Sequence, residues 1–319
     1  MKSKKEDGYN YSYLWLMVLT IFCWGIVPSL AKLGGLSGDL TTLYVNWVAV
    51  FAVALLITFI GKNKILRKLD IGQGWNDFKG YKRQDYLTMV GIGVIWPLIY
   101  SFGYFFSINH GCPSLTTILN YNWPIFYIFF AYLLMGQKAN LRSFSFIVFA
   151  VLAVALALFL GEGVKASNLI AALGFGIVAA ITQGLYSVLG DKYQLKPWPL
   201  TLVIEAVTAV GATIFVVFRQ NLILPAIPTL GYLTIIGVFG NAIGFWSFLA
   251  GSQISHNNGS VAKTTYMMGL CLVPLVAVVL MPILGAEQIN IYKLASAIAI
   301  TVGLIVYRLT TRETKIETT

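Results

Sequence analysis

The sequence predicts an all-α integral membrane protein of ten transmembrane helices, built as two five-helix repeats of inverted topology. Three observations predict it: a composition too apolar for water, ten apolar stretches of spanning length, and features that recur at an offset of 150 residues. Of 319 residues, 58% are hydrophobic and 11% charged, against about 25% charged in ordinary soluble domains. A soluble globule of this kind would have to expose the apolar patches that soluble monomers avoid. A lipid solvent removes the difficulty.

A helix crossing roughly 30 Å of hydrocarbon needs about 20 mainly apolar residues. Stretches at 12–33, 40–60, 86–108, 114–135, 143–160, 168–190, 199–218, 229–251, 260–281 and 289–307 meet this. They are too long and too uniformly apolar for barrel strands, and only helices or closed barrels satisfy the backbone in lipid. The first stretch follows Lys2, Lys4 and Lys5, as a signal peptide would. It has no A-x-A-like cleavage site and contains Trp15, Trp24, Pro28 and Lys32, so it reads as a spanning helix. The longest connection, 61–85, is broken by Gly72, Gly74 and Gly80. Short connections elsewhere make consecutive helices antiparallel neighbours.

Basic residues orient the chain. With the N-terminus inside, seventeen of the 22 Lys and Arg fall in inner segments, while the outer loops hold only Lys165 and Arg219. The positive-inside rule then places both termini in the cytoplasm. Pro124, inside the fourth span, matches Pro274 inside the ninth, and Gly136-Gln137 matches Ala286-Glu287 at the same offset. Five helices per half would insert the second half upside down, the architecture that builds alternating access around a midplane site. Prolines are common in membrane helices, so chance recurrence is the alternative. The predicted organisation is a cytoplasmic segment 1–11, repeats 12–160 and 161–307, and a cytoplasmic tail 308–319.

Other classes are excluded or unsupported. The net charge of +10 comes from basic residues at helix ends, which form no groove-sized patch for nucleic acid. Cys23, Cys112 and Cys271 are an odd set without C-x-x-C spacing, and the two histidines are far apart, so no metal or other cofactor is expected. No G-x-x-x-x-G-K-[ST] loop points to ATP hydrolysis.

The run Asn120-Tyr121-Asn122-Trp123-Pro124, followed by Gly136-Gln137-Lys138-Ala139-Asn140, resembles the drug/metabolite transporter superfamily. Trp24-Gly25, Tyr186 through Lys192-Tyr193, and Gly244 to Trp246 extend the resemblance over roughly residues 12–307. Within the superfamily these residues look most like the bacterial branch that exports aromatic amino acids and paraquat. The resemblance implies two EamA-type repeats with a cavity between them, in a bacterial cytoplasmic (inner) membrane. Gln183 stands where related exporters often carry tryptophan, and Asn122 where an apolar residue is usual.

A transported molecule needs polar or aromatic groups facing the bundle interior. The third span carries Trp96, Tyr100, Gly103, Tyr104 and Ser107 on one face; the fourth, Thr116, Asn120, Trp123 and Tyr127. With Trp24, Gln183, Tyr186, Asn241, Phe245, Trp246, Met267 and Cys271, such stripes suit an aromatic or cationic substrate. Membrane aromatics also serve as packing and interfacial anchors, which is the reading for Trp15, Trp75 and Trp198. Glu205 is the only acid well inside a span: a substrate-ammonium partner, a coupling-proton carrier, an ion-pair partner of Lys32 or Lys263, or an interfacial carboxylate. Lys263 either neutralises a substrate carboxylate or snorkels. Pro124 and Pro274 are hinge candidates, and glycines 237, 240 and 244 allow close helix approach.

The reading is therefore a secondary transporter of small amphipathic metabolites, working by alternating access and exporting aromatic amino acids or related compounds, with the proton as the candidate coupling ion. Its partners are that small molecule and membrane lipid, with no nucleic acid, as a monomer or weak dimer. A cationic amine, nucleoside or drug-like compound is the alternative cargo. The other class, an intramembrane enzyme, rests only on Gly35-Leu36-Ser37-Gly38, which falls in an outer loop with no later helical histidine to activate Ser37.

Overall fold

The computed structural model describes residues 10–62, 73–136, 166–193, 195–288 and 291–310. The predicted fifth span, the Gln137–Asn140 run and the side chains of Pro124 and Lys263 lie outside the described set. Among the described residues the regular structure is entirely helical, and eight helices are long and apolar enough to cross a bilayer. A further apolar helix runs over Ile291–Thr310.

Thirteen α-helices appear in chain order among the described residues: α1 Ser12–Gly34, α2 Gly38–Lys62, α3 Arg83–Gly93, α4 Tyr100–His110, α5 Pro113–Asn120, α6 Trp123–Met135, α7 Ala166–Tyr193, α8 Pro197–Phe218, α9 Ile227–Ile235, α10 Gly244–Asn257, α11 Ser260–Leu270, α12 Val273–Ile283 and α13 Ile291–Thr310. Local chemistry sets their ends. Asn10 Oδ1 accepts from the Ser12 N–H at 3.0 Å, satisfying one of the donors a helix start leaves free. Gly35 stops α1 in the left-handed region at φ +66°, which a residue without Cβ reaches freely. Proline stands in the first turn of α5, α6, α8, α9 and α12, where its missing N–H costs nothing.

Four interruptions inside spans shape the interior. The predicted fourth span breaks at Tyr121-Asn122 and the predicted ninth at Cys271-Leu272, each just before its proline. At each break the turn tightens to i→i−3 bonds, Asn122 N–H to Leu119 O at 3.1 Å and Leu272 N–H to Gly269 O at 2.9 Å. The third and eighth spans are interrupted by wide π-type turns, Val94–Ile99 and Ile236–Ile243. Trp96 is extended within the first of these, at φ −151° and ψ 125°. Such widened turns recur at functional sites.

The two ends of the bundle differ. At the end carrying Asn10, Asn258 Nδ2 donates to Asn10 O at 2.6 Å, and Gln253 Nε2 to Leu195 O at 2.6 Å. Lys196 lies there 3.7 Å from Asp77 and donates its backbone N–H to Tyr81 Oη. At the opposite end Arg219 lies 3.8 Å from the buried Asp39, and Tyr44 donates to Ile223 O at 2.7 Å. Glu287 there holds three groups: it accepts from the Ser114 N–H and hydroxyl at 3.0 and 2.7 Å, and pairs with Lys293 at 2.6 Å. That contact ties the start of α5 to the connection before α13.

Candidate functional site

A cavity of about 50 Å³ lies where α1, α4, α7 and α12 meet the break between α5 and α6 and the second wide turn. Its wall is aromatic, from Trp24, Tyr100, Tyr104, Tyr121, Trp123 and Phe245. Its polar groups are Ser101, Thr117, Asn120, Gln183 and Asn241. Tyr100 and Tyr104 stack with centroids 5.6 Å apart, as a turn-spaced pair on α4 should.

The hydrogen bonds show which atoms are free. Asn120 Nδ2 donates to Tyr100 Oη at 3.3 Å, and its buried Oδ1 has no partner. Trp24 Nε1 is buried and equally without a hydrogen bond. Trp96 Nε1 donates to Gln183 Oε1, which leaves the Gln183 amide N–H groups as donors toward the cavity. Trp96 is itself fully buried and stacked on Tyr186 at 3.8 Å, so it positions Gln183 from behind and does not line the cavity. The site thus offers an acceptor at Asn120, donors at Trp24 and Gln183, and aromatic faces between them. Buried polar atoms without partners are unfavourable unless something fills them.

A second cavity of about 150 Å³ lies toward the Asn10 end, lined by Tyr127, Tyr186, Ser187, Gln253, His256 and Met267 among others. A small space of about 30 Å³ with Trp24, Tyr121, Gln183 and Met267 in its wall lies between the two. Trp123 lines all three. It stands between the central cavity and this second cavity, a vestibule toward the Asn10 end.

The predicted residues divide accordingly. Trp24, Tyr100, Tyr104, Asn120, Trp123, Gln183, Asn241 and Phe245 line the central cavity; Tyr186, Tyr127 and Met267 line the vestibule. Trp246 lines neither: it stacks on Trp198 at 4.7 Å in a cluster with Ala49, Val53 and Ile57 of α2. The same stack overturns the anchor reading of Trp198, which is buried, whereas Trp15 is 78% exposed. Gly103 makes no room beside the rings; a Cβ there would meet Phe175 O at 2.8 Å, so it seats α4 on α7. Ser107 and Thr116 bond each other at 2.8 Å and serve packing. Thr117 and Tyr121 were absent from the predicted set. On a continuous helix Asn120 and Tyr121 point about 100° apart, and only the break turns both to the cavity.

Glu205 on α8 is fully buried, which excludes the interfacial reading, and Lys32 is exposed and unpaired with it. Its Oε2 accepts from Asn241 Nδ2 at 3.3 Å, while Oε1 has no partner. Asn241 is the residue that touches both Glu205 and the cavity.

Comparison with known proteins places this architecture. Residues 11–159 match the model of the EamA-like transporter family. The match points to membrane transport of small molecules, and it names no substrate. No curated protein matches the chain. A crystal structure of another protein aligns over 95% of this chain and 99% of its own, with a TM-score of 0.65 at 17% identity. At that identity the likeness is one of fold.

Proposed function

We propose that the chain is a secondary transporter that exports aromatic amino acids or closely related amphiphiles by alternating access between two inverted five-helix halves. The observation that carries this reading is the aromatic cavity with buried polar atoms left unpaired: an acceptor at Asn120 Oδ1 and a donor at Trp24 Nε1. An amino acid supplies both complements, its ammonium to the acceptor and its carboxylate to the donors, with the ring between aromatic walls. Two breaks at one offset of 150 residues, and one wide turn in each half, support the repeat and the hinge role of Pro124 and Pro274. The central cavity holds only a few waters, so loading requires the Trp123 partition to move. With the basic loops inside, the vestibule faces the cytoplasm, the side from which an exporter loads.

A second reading, an aromatic amine as cargo, is favoured by Glu205, a buried acid with no cationic partner among the described residues. A thermal-shift screen of the purified protein against amino acids, amines, nucleosides, sugars and simple carboxylates tests both. Aromatic amino acids or amines should raise the midpoint, and Asn120→Ala should abolish most of that rise. Stabilisation by sugars or simple carboxylates alone would overturn the assignment.

A further inference from the structure

Glu205 sits beside the cavity but not in its wall, and two asparagines decide how its charge reaches a ligand. Asn46 on α2 donates its Nδ2 to Thr42 O at 2.6 Å within its own helix. A carbonyl only accepts, so this bond fixes the Asn46 amide and turns its Oδ1 away from Thr42. That oxygen accepts from Asn241 Nδ2 at 3.3 Å, and the same nitrogen serves Glu205 Oε2 at 3.3 Å. Both Asn241 N–H groups are thereby directed away from the cavity, and its oxygen is left as the atom it can offer there. Asn120 Oδ1 presents a second acceptor to the same space.

We propose that Asn241 is the positioning residue through which a proton on Glu205 and an ammonium group in the cavity compete, although the two share no contact. The proposal rests on the reading of the cavity as a substrate site. When Glu205 is ionised, its charge lies directly behind the Asn241 amide, polarising it so that its oxygen attracts an ammonium; hydrogen-bonded groups in series strengthen one another in a low dielectric. When Glu205 carries a proton that charge is gone, and the new O–H competes for the amides around it. Binding an ammonium therefore favours ionised Glu205 and releases its proton, and protonation weakens ammonium binding by the same factor. Tyr186, whose buried hydroxyl has no hydrogen-bond partner, lines the vestibule.

The charged groups on the elements around α8 lie at element ends, away from the middle turn that carries Glu205. Asp39 and Lys62 lie at the ends of α2, Asp77 in the turn before α3, Arg83 and Asp85 at the start of α3, Lys192 at the end of α7 and His256 at the end of α10. Among the described residues, Glu205 is the charge that Asn241 reads.

The test is calorimetric titration of tryptamine, whose ammonium stays charged in both mildly acid and mildly alkaline buffer, with neutral indole as the control. Wild type should bind tryptamine on the order of tenfold tighter in the alkaline buffer, within the range usual for coupled sites. Proton release should appear as a dependence of the heat on the buffer's ionisation enthalpy. Glu205→Gln should remove the pH dependence. Asn241→Leu, and Asn46→Leu outside the cavity wall, should remove it too, the latter while indole binding is kept. If both asparagine variants retain the wild-type pH dependence, Asn241 does not carry the coupling and the proposal falls, with the cavity reading intact. If wild type binds neither tryptamine nor indole, the cavity reading itself fails.

Discussion

Trp96 shows how a single residue shapes the site without entering it. Its indole N–H holds Gln183 Oε1 and its face lies on Tyr186, so the Gln183 amide presents donors to the cavity. Trp96→Phe keeps the ring and removes the donor. Hydrogen bonds between helices in a membrane contribute about 0.6 kcal/mol on average, so the unliganded melting temperature should fall only slightly. Affinity for a carboxylate-bearing aromatic should fall more, because Gln183 can then rotate. Melting with and without saturating tryptophan separates the two effects; an unchanged ligand-induced shift would show that Gln183 needs no such support. Trp96 was legible in the sequence as an inward aromatic, but its place behind Gln183 was not. Periodicity reports which face of a helix a residue occupies, and Trp96 lies where the helix gives way to extended backbone.

Between elements, close approach is set by missing side chains. A Cβ on Gly184 of α7 would lie 2.8 Å from Trp123 O and 2.8 Å from Tyr127 N, the first turn of α6. Backbone cannot swing aside as a side-chain tip can, so Gly184→Ala must move α6 and with it the Trp123 partition. Overpacking of this kind costs about 1–3 kcal/mol, and the melting temperature in detergent should fall accordingly. Gly174 on the same helix is exposed and meets nothing within 4 Å. Gly174→Ala should be neutral or stabilising by about 0.5–1 kcal/mol. Equal effects at the two sites would contradict this packing. The sequence marked the glycines of the eighth span as contact points, and Gly237 does lie on Val45 O and Val48. It gave no sign of Gly184, because a glycine's role depends on what passes beside it.

Across the whole molecule, the contact that ties elements together at the end opposite Asn10 is Glu287 bridging Ser114 and Lys293. Cys112 stands next to this contact, its thiol 3.4 Å from the Ser114 hydroxyl. Burial raises the Cys112 thiol pKa above its ordinary value, and the Glu287 charge raises it further. The reactive thiolate is therefore scarce at neutral pH and grows as pH rises. Glu287→Gln removes the charge and the ion pair together, so an impermeant maleimide should label Cys112 several-fold faster from that side, with the rate curve displaced to lower pH. Cys23 and Cys271 are buried and should stay silent. An unchanged rate would show that this contact does not govern the Cys112 thiol.

By itself the sequence determined that the chain is a multi-pass membrane protein, where eight apolar spans run, and that two of them carry a proline break. Those properties are local: transfer free energy sums along some twenty consecutive residues, and a missing N–H acts within one turn. It also placed Asn120, Trp123 and Glu205 as the groups to watch, since polar atoms deep in a span need a reason to be there. Only the tertiary structure decided that Trp246 faces Trp198, that Trp123 divides two cavities, and that Asn46 and Asn241 stand between Glu205 and the cavity. A hydrogen bond across 195 residues of chain, such as Asn241 to Asn46, leaves no periodic trace. It exists because packing brings two continuous helices, α2 and α8, to the wide turn that carries Asn241.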